Sequence, residues 1–127
     1  MKTLTVTELE FMRKLWAMRD ATPEDIKQSF EDENRILTGG TVRKMLGILM
    51  EKGYVERKKL RRTYLYRPAV SAESTKSGLI KDVLNRAFDG SFSHMFASFL
   101  DNEKVDAEEL EMIAVLIDKH RKEQKND

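Results

Sequence analysis

The stretch that decides the fold is LTGGTVRKMLGILMEKGYV, residues 37–55. Val42, Leu46 and Leu49 recur at i, i+4 and i+7, a spacing that predicts one apolar face of a helix. Thr38, a residue type favoured at the N-cap, predicts where that helix starts. Each glycine in or before such a helix costs about 0.5–1 kcal/mol relative to alanine, so the glycines need a reason outside the helix itself.

The outer face of this helix carries a lysine flanked by glycines. With the apolar residues turned to the core, Gly40, Lys44 and Gly47 project outward, and Thr41 and Arg43 lie at the two sides. A strip without side chains lets a helix backbone sit deep in a DNA major groove, where the polar side chains reach bases or phosphates. The alternative is that these glycines form only a turn before the helix and a neutral position within it.

The segment upstream of this helix predicts two more helices. Thr7 with Glu10 has the spacing of a capping box, which predicts a first helix running to about Arg19. Thr22 followed by Pro23 combines an N-cap with a proline at the first helical position, which predicts the start of a second helix. The second and third helices then form a helix-turn-helix pair.

The segment downstream predicts a β-hairpin. Residues 54–57 and 63–67 favour strands, and Pro68 ends the second of them. The five residues between them, KKLRR at 58–62, form the predicted tip. Three helices followed by a hairpin is the order of a winged helix-turn-helix, with the hairpin as the wing. Long cations on a hairpin tip suit phosphate binding, and a solvated basic turn is the alternative.

Charge is distributed unevenly along a chain whose net charge is +1. Residues 39–67 hold 9 basic and 2 acidic side chains, a net charge of +7, whereas residues 71–127 carry −4. A positive segment this concentrated is typical of a surface that meets a polyanion. The chain has no cysteine, which excludes disulfides and thiolate metal sites, and no apolar run long enough to insert into a membrane. We therefore expect a cytoplasmic protein.

The sequence of residues 71–127 predicts three further helices with apolar faces. Residues 89–91 separate the first from the second, and Asp106 is the predicted N-cap of the third. So short a segment cannot easily bury this many apolar side chains alone, so we expect a homodimer; folding back on the same chain is the alternative. The predicted fold is mainly α with a small β-hairpin, divided into a winged-helix DNA-binding domain (1–70) and a helical dimerisation domain (71–127). The predicted dimerisation residues are Phe88, Phe92, Phe96, Phe99, Leu110, Ile113, Leu116 and Ile117.

Four stretches carry a family resemblance: LTVTELEFMRKLW (4–16), GTVRKMLGILMEKGYVERKK (40–59), TYLYRPAVS (63–71) and AFDGSFSHMFASFLDNEKVDAEELEMI (87–113). In these stretches, in order over nearly its whole length, the chain resembles the BlaI/MecI/CopY repressors, the penicillinase-repressor family. The resemblance implies a winged-helix homodimer that represses transcription from a palindromic operator, in operons for β-lactam resistance or copper handling. The copper branch carries C-terminal cysteines that this chain lacks.

The resemblance also implies roles for particular positions. In the β-lactam branch a membrane sensor protease relieves repression by cutting before a phenylalanine, which corresponds here to the Ser98–Phe99 bond. The family residue before that phenylalanine is asparagine, so Ser98 departs from the pattern. Residues of the third helix and Arg61 and Arg62 of the wing would contact the operator. The full set of predicted DNA contacts is Thr38, Gly40, Thr41, Arg43, Lys44, Lys58, Arg61 and Arg62.

The sequence predicts neither catalysis nor a bound cofactor or metal. His94 and His120 are isolated histidines, and no nucleophile motif, P-loop or dinucleotide fingerprint occurs. A second hypothesis is a winged-helix module that binds protein partners without operator DNA, and a third keeps DNA binding but responds to a small-molecule inducer. Affinity for duplex DNA that falls steeply with salt would favour the repressor over the protein-binding module.

Overall fold

The computed structural model describes residues 2–126, and its element order confirms the predicted winged-helix pattern of three helices followed by a hairpin. Residues up to Ile80 form one compact unit and residues from Lys81 form another. The functional division proposed at residues 70 and 71 stays a prediction. The elements are α1 (Val6–Met18), α2 (Pro23–Asp32), α3 (Gly39–Glu51), β1 (Val55–Leu60), β2 (Thr63–Pro68), α4 (Ala72–Phe88), α5 (Phe92–Asn102) and α6 (Ala107–Lys125).

The core of the first unit takes one apolar face from each of its first three helices. The rings of Phe11 and Phe30 pack with centroids 4.8 Å apart, which joins α1 to α2. Burying one such side chain contributes about 1.5–3 kcal/mol, so these faces determine how the helices are rotated. The largest fully buried side chains are Phe11, Met12 and Leu15 of α1, Ile26 and Phe30 of α2, and Val42, Leu46 and Leu49 of α3.

The first helix begins earlier than the sequence predicted, and the capping box at Thr7 and Glu10 is wrong. Thr5 is the N-cap: its hydroxyl accepts a hydrogen bond from the Glu8 backbone N–H at 3.2 Å, and the Glu8 carboxylate accepts one from the Thr5 N–H at 3.3 Å. Both pairs have the same T-x-x-E spacing. The pair of Thr5 and Glu8 forms the cap because the buried Glu8 carboxylate also forms an ion pair with Lys52 at the end of α3.

The predicted starts of the next two helices are confirmed. The Thr22 hydroxyl accepts from the Asp25 N–H at 3.2 Å, and Pro23 is the first residue of α2. The Thr38 hydroxyl accepts from the Thr41 N–H at 3.0 Å at the start of α3. Each cap satisfies a backbone donor that the helix leaves unpaired, which fixes where the helix-turn-helix elements begin.

The hairpin is longer and its turn tighter than predicted. The two strands pair antiparallel along their whole length, with Leu60 opposite Thr63 next to the turn. The turn therefore consists of Arg61 and Arg62 alone, and the predicted five-residue tip at 58–62 is wrong. Arg61 has a φ of 54°, the left-handed conformation that tight two-residue hairpins require. Asparagine or glycine usually fills that position, which is why the sequence did not signal the turn.

The hairpin is attached to the helices through Tyr66. Its backbone N–H donates to the Ala21 carbonyl at 2.8 Å, and its carbonyl accepts from the Ala21 N–H at 2.9 Å. Ala21 lies between α1 and α2, and both side chains are buried. This bridge fixes the base of the wing against the helices.

The C-terminal helices follow the predicted boundaries but enclose no core. Asp89 and Gly90 take positive φ values and break the chain between α4 and α5, and Ser91 caps α5. The Asp106 carboxylate accepts from the Glu109 N–H at 2.8 Å and caps α6. No described residue of α4, α5 or α6 is buried within the single chain.

We expect the Glu8–Lys52 pair to make the stability of the first unit depend on pH. Burial acts to raise the pKa of Glu8, but hydrogen bonds from Lys52 and Thr5 outweigh it and hold the pKa below its ordinary value of 4.5. Because folding favours the carboxylate, the stabilisation is complete above pH 4.5 and is lost as the pH falls through the lowered value.

Glu8→Gln should therefore reduce the free energy of unfolding by about 1–3 kcal/mol near neutral pH and remove this acid-sensitive component. Urea unfolding of both proteins from neutral to acidic pH measures it. Glu10→Gln is the matched control, since Glu10 pairs with Arg35 at the surface and such pairs contribute at most about 1 kcal/mol. Parallel acid profiles for wild type and Glu8→Gln would contradict the assignment.

Candidate nucleic-acid interface

The third helix presents its polar residues to solvent because its apolar face is buried. Val42, Leu46 and Leu49 are 0% exposed. The opposite side and the N-terminal end of α3 are open, and the unpaired backbone N–H groups of a helix start are anion-binding groups. All five contacts predicted on this helix and its cap are exposed or largely exposed: Thr38, Gly40, Thr41, Arg43 and Lys44.

The turn between α2 and α3 is linked to α1 by two cations that contact one aromatic ring. The Lys14 ammonium lies 4.5 Å from the Phe30 ring centroid, and the Arg35 guanidinium carbon lies 5.2 Å from it. Each cation also meets a carboxylate: Lys14 contacts Glu33 at 2.9 Å, and Arg35 forms an ion pair with Glu10. These contacts join the turn between α2 and α3 to α1.

The glycines of α3 differ in what surrounds them. A Cβ on Gly39 would lie 3.1 Å from the Arg43 guanidinium, which folds back over the helix start. A Cβ on Gly40 would make only an ordinary contact, 3.9 Å from the Thr38 hydroxyl, and one on Gly47 would meet nothing within 4 Å. Packing within the chain therefore gives no reason for glycine at position 47.

The wing exposes cations on its strands and at its turn. Arg61 and Arg62 occupy the turn, and Lys58 lies on β1 opposite Leu65 instead of in a loop. All three predicted wing contacts are exposed, so the eight predicted contact residues lie in two places, the wing and the start of α3. Arg67, also exposed, is paired with Glu56 across the strands at 2.8 Å.

Arg57 was missed in the sequence analysis. Its guanidinium carbon lies 3.8 Å from the Tyr64 ring centroid, and its Nη1 donates to the Tyr66 hydroxyl at 3.1 Å. Arg57 and Tyr66 are direct cross-strand partners. The strand register would have revealed this contact. The register depends on the position of the turn, which was predicted incorrectly.

The C-terminal helices carry a large exposed apolar surface. Phe92 and Phe96 stack with ring centroids 6.1 Å apart, yet Phe92 is 59% exposed in the single chain. Soluble proteins rarely leave contiguous apolar surface of this kind uncovered. The predicted dimerisation residues are all partly or largely exposed. Further apolar residues of these helices, absent from that prediction, are exposed as well, among them Ile80, Val83, Met112 and Val115.

The histidines form no metal site in the described part of the chain. His94 packs its ring edge-on against Phe88 at 5.6 Å, and His120 lies 3.4 Å from the Glu123 carboxylate on the helix surface. Between residues 2 and 126, no group of three metal-ligating side chains comes together. No helix of that stretch is long and apolar enough to cross a bilayer.

A winged helix with cations on both its third helix and its wing is the architecture of a helix-turn-helix transcriptional regulator. The chain belongs to the penicillinase repressor family, whose sequence profile matches residues 4–119. This family consists of repressors, not enzymes, which agrees with the sequence prediction.

Relatives of this family span nearly the whole chain. The methicillin resistance regulatory protein MecI of Staphylococcus aureus strain Mu50 is 23% identical over 116 residues, covering 91% of this chain and 94% of that protein. The penicillinase repressor of Bacillus licheniformis is 23% identical over 118 residues, covering 93% of this chain and 91% of that protein. The first relative is named for the regulation of methicillin resistance and the second for the repression of penicillinase.

Solved structures of other regulators share the fold. A mutant MarR from E. coli complexed with operator DNA matches with a TM-score of 0.51 and 17% identity, covering 91% of this chain and 74% of that chain. RosR of H. salinarum matches with a TM-score of 0.53 and 18% identity, covering 93% and 94%. At these identities the likeness establishes the architecture alone.

We predict that Gly47→Ala stabilises the free protein but weakens its binding to duplex DNA. The methyl group has open space in the chain, so helix propensity should raise the free energy of unfolding by about 0.5–1 kcal/mol. If α3 lies deep in a groove, the same methyl group separates the two surfaces. Thermal unfolding and fluorescence anisotropy with labelled duplex measure the two effects.

Gly78→Ala is the matched control, because Gly78 lies in α4 with nothing within 4 Å of an added Cβ. It should stabilise the protein similarly and leave DNA binding unchanged. Equal DNA affinity of wild type and Gly47→Ala would mean that the bare strip on α3 does not approach the duplex.

Proposed function

We propose that this chain is a homodimeric transcriptional repressor that binds a palindromic operator and loses its hold when the C-terminal region is cut. One observation carries the proposal: eight of the nine basic side chains of residues 39–67 are exposed at the start of α3 or on the wing, and only Lys52 is paired with the buried Glu8. A module that binds only protein partners has no need for cations at both places. The family supports repression as the outcome of binding.

In the proposed complex, α3 enters the major groove and the wing lies along the backbone. Thr41, Arg43 and Lys44 then reach base edges or nearby phosphates, and the free N–H groups at the helix start bind a phosphate oxygen. Arg61 and Arg62 contact phosphates, which supplies affinity without sequence information. Base contacts on α3 therefore set specificity, and the wing sets salt-dependent affinity.

The proposed homodimer follows from the apolar surface of the C-terminal helices. Phe99 and Leu116 are 50% and 61% exposed in the single chain, and a second copy can cover such residues. Burying one such side chain contributes about 1.5–3 kcal/mol, so a few pairs of them outweigh the cost of association. Two-fold symmetry would then place the half-sites about one helical turn of DNA apart, or a multiple of it.

Cleavage of the Ser98–Phe99 bond is the proposed route to release, with a membrane sensor protease as the partner that carries it out. Both residues lie within α5, and the Asn102 side chain donates to the Ser98 carbonyl at 2.7 Å. A protease must break that contact and unwind the helix locally to reach the bond. A neighbouring gene for a membrane metalloprotease with a β-lactam sensor would support this route.

We predict different consequences for the two classes of DNA contact. Lys44→Ala should weaken binding to a duplex selected by the protein from a random pool by about 1–3 kcal/mol, and change binding to random duplex little. Arg61→Ala should weaken both equally and lower the slope of log affinity against log salt by about 1. Titrations over a range of salt concentrations measure both.

Lys76→Ala controls for loss of one positive charge outside the proposed interface, since Lys76 is exposed on α4. Equal losses on selected and random duplex for Lys44→Ala would contradict its assignment to base contact. A wild-type affinity that does not change with salt would favour the protein-binding module instead.

We also predict that Phe99→Asp separates the dimer. A carboxylate in an apolar interface lacks a partner, so sedimentation should show the monomer, and affinity for the full operator should fall by about 10²–10⁴-fold. Binding to a single half-site should not change. Ala97→Asp, the same charge at an exposed position of α5, should leave the dimer intact. A Phe99→Asp protein that stays dimeric would place the interface elsewhere.

A further inference from the structure

The wing carries an exposed arginine whose guanidinium packs on aromatic residues of the facing strand. The Arg57 guanidinium lies 3.8 Å from the Tyr64 ring centroid and 5.9 Å from that of Tyr66, and it donates to the Tyr66 hydroxyl at 3.1 Å. The Lys59 ammonium also lies near the Tyr64 ring, 5.1 Å from its centroid. We name Arg57, Tyr64 and Tyr66 the wing clamp.

The wing clamp lies between the fixed base of the hairpin and its tip. Tyr66 is bonded to Ala21 through two backbone hydrogen bonds, which hold the base. Beyond that point the hairpin is a two-stranded ribbon, and such ribbons are marginally stable by themselves. Its end carries Arg61 and Arg62. Contacts along the ribbon, such as those of the wing clamp, can stiffen it between base and tip.

The chemistry of the clamp requires a planar cation. The guanidinium stacks on one ring while it donates a hydrogen bond in its own plane to the hydroxyl of the next, which an ammonium cannot do in the same way. The hydrogen bond to Tyr66 raises the pKa of Arg57, a side chain that stays protonated in proteins in any case.

We propose that Arg57 is a positioning residue that stiffens the wing, so that Arg61 and Arg62 meet the DNA backbone, and that it does not itself contact phosphate. This inference rests on the proposed operator binding. It assigns to one cation of the basic segment a role that its charge alone would not reveal. It also divides the cations of the wing into those that contact DNA and those that stabilise the hairpin.

The test compares variants that keep or remove the clamp without changing the tip. Arg57→Lys keeps the charge but loses the planar stack, and Tyr64→Leu loses the aromatic face. Tyr64→Phe keeps that face and is the matched control. Each full-length variant is titrated against a random-sequence duplex over a range of salt concentrations, and amide hydrogen exchange of residues 58–63 is measured without DNA.

We expect Arg57→Lys and Tyr64→Leu to weaken DNA binding about three- to tenfold and to reduce its salt dependence, while Tyr64→Phe behaves as wild type. Exchange at residues 58–63 should rise in the first two variants only. In a protein that also carries Arg61→Ala and Arg62→Ala, Arg57→Lys should cause no further loss, because the cations it positions are gone.

Three results would overturn the inference. If Arg57→Lys weakens DNA binding equally in the protein that carries Arg61→Ala and Arg62→Ala, Arg57 contacts DNA directly. Equal behaviour of Tyr64→Phe and Tyr64→Leu would mean that the aromatic face is irrelevant. Unchanged exchange at the tip would mean that the clamp does not stiffen the wing. Wild-type protein that ignores duplex DNA at low salt would instead refute the proposed function, and the exchange measurement would still decide whether the clamp stiffens the wing.

Discussion

Burial of Val42, Leu46 and Leu49 is the constraint on which the rest of the first unit depends. These side chains are fully buried, so α3 cannot rotate without exposing them, at about 1.5–3 kcal/mol each. Their burial turns Lys44 and Gly47 to solvent on the opposite side. α3 therefore has one buried apolar face and one exposed basic face, which is available for contact with a second surface.

The sequence predicted those parts of the fold that local chemistry determines. The caps at Thr22 and Thr38 and the rotation of α3 followed from residue type and spacing alone, and all three are confirmed. The cap of α1 was misplaced because the TVTELE segment offers two T-x-x-E pairs. Only the tertiary contact between Glu8 and Lys52 distinguishes them, and no local rule contains it.

The wing was the least predictable part of the candidate site, for a related reason. Its tight turn places Arg61 at a positive φ, where sequence rules lead one to expect asparagine or glycine. Once the turn is misplaced by a few residues, every cross-strand pair is misassigned, including the pairing of Arg57 with Tyr66. Counting cations therefore identified the basic segment, but it could not show that the Arg57 guanidinium packs on the Tyr64 ring.

The C-terminal helices raise a question of stability that bears on control. In the single chain none of their described residues is buried, and isolated helices of this length are marginal in water, so packing must stabilise them. If a second copy supplies that packing, folding of this region and association are one equilibrium that depends on concentration. A cut at Ser98–Phe99 would then remove the packing that both copies share, and each DNA-binding unit would be left with the weak affinity of a single half-site. In that proposed dimer, control would act far from the operator, because the dimer contact would join two weakly bound half-sites into one tightly bound complex.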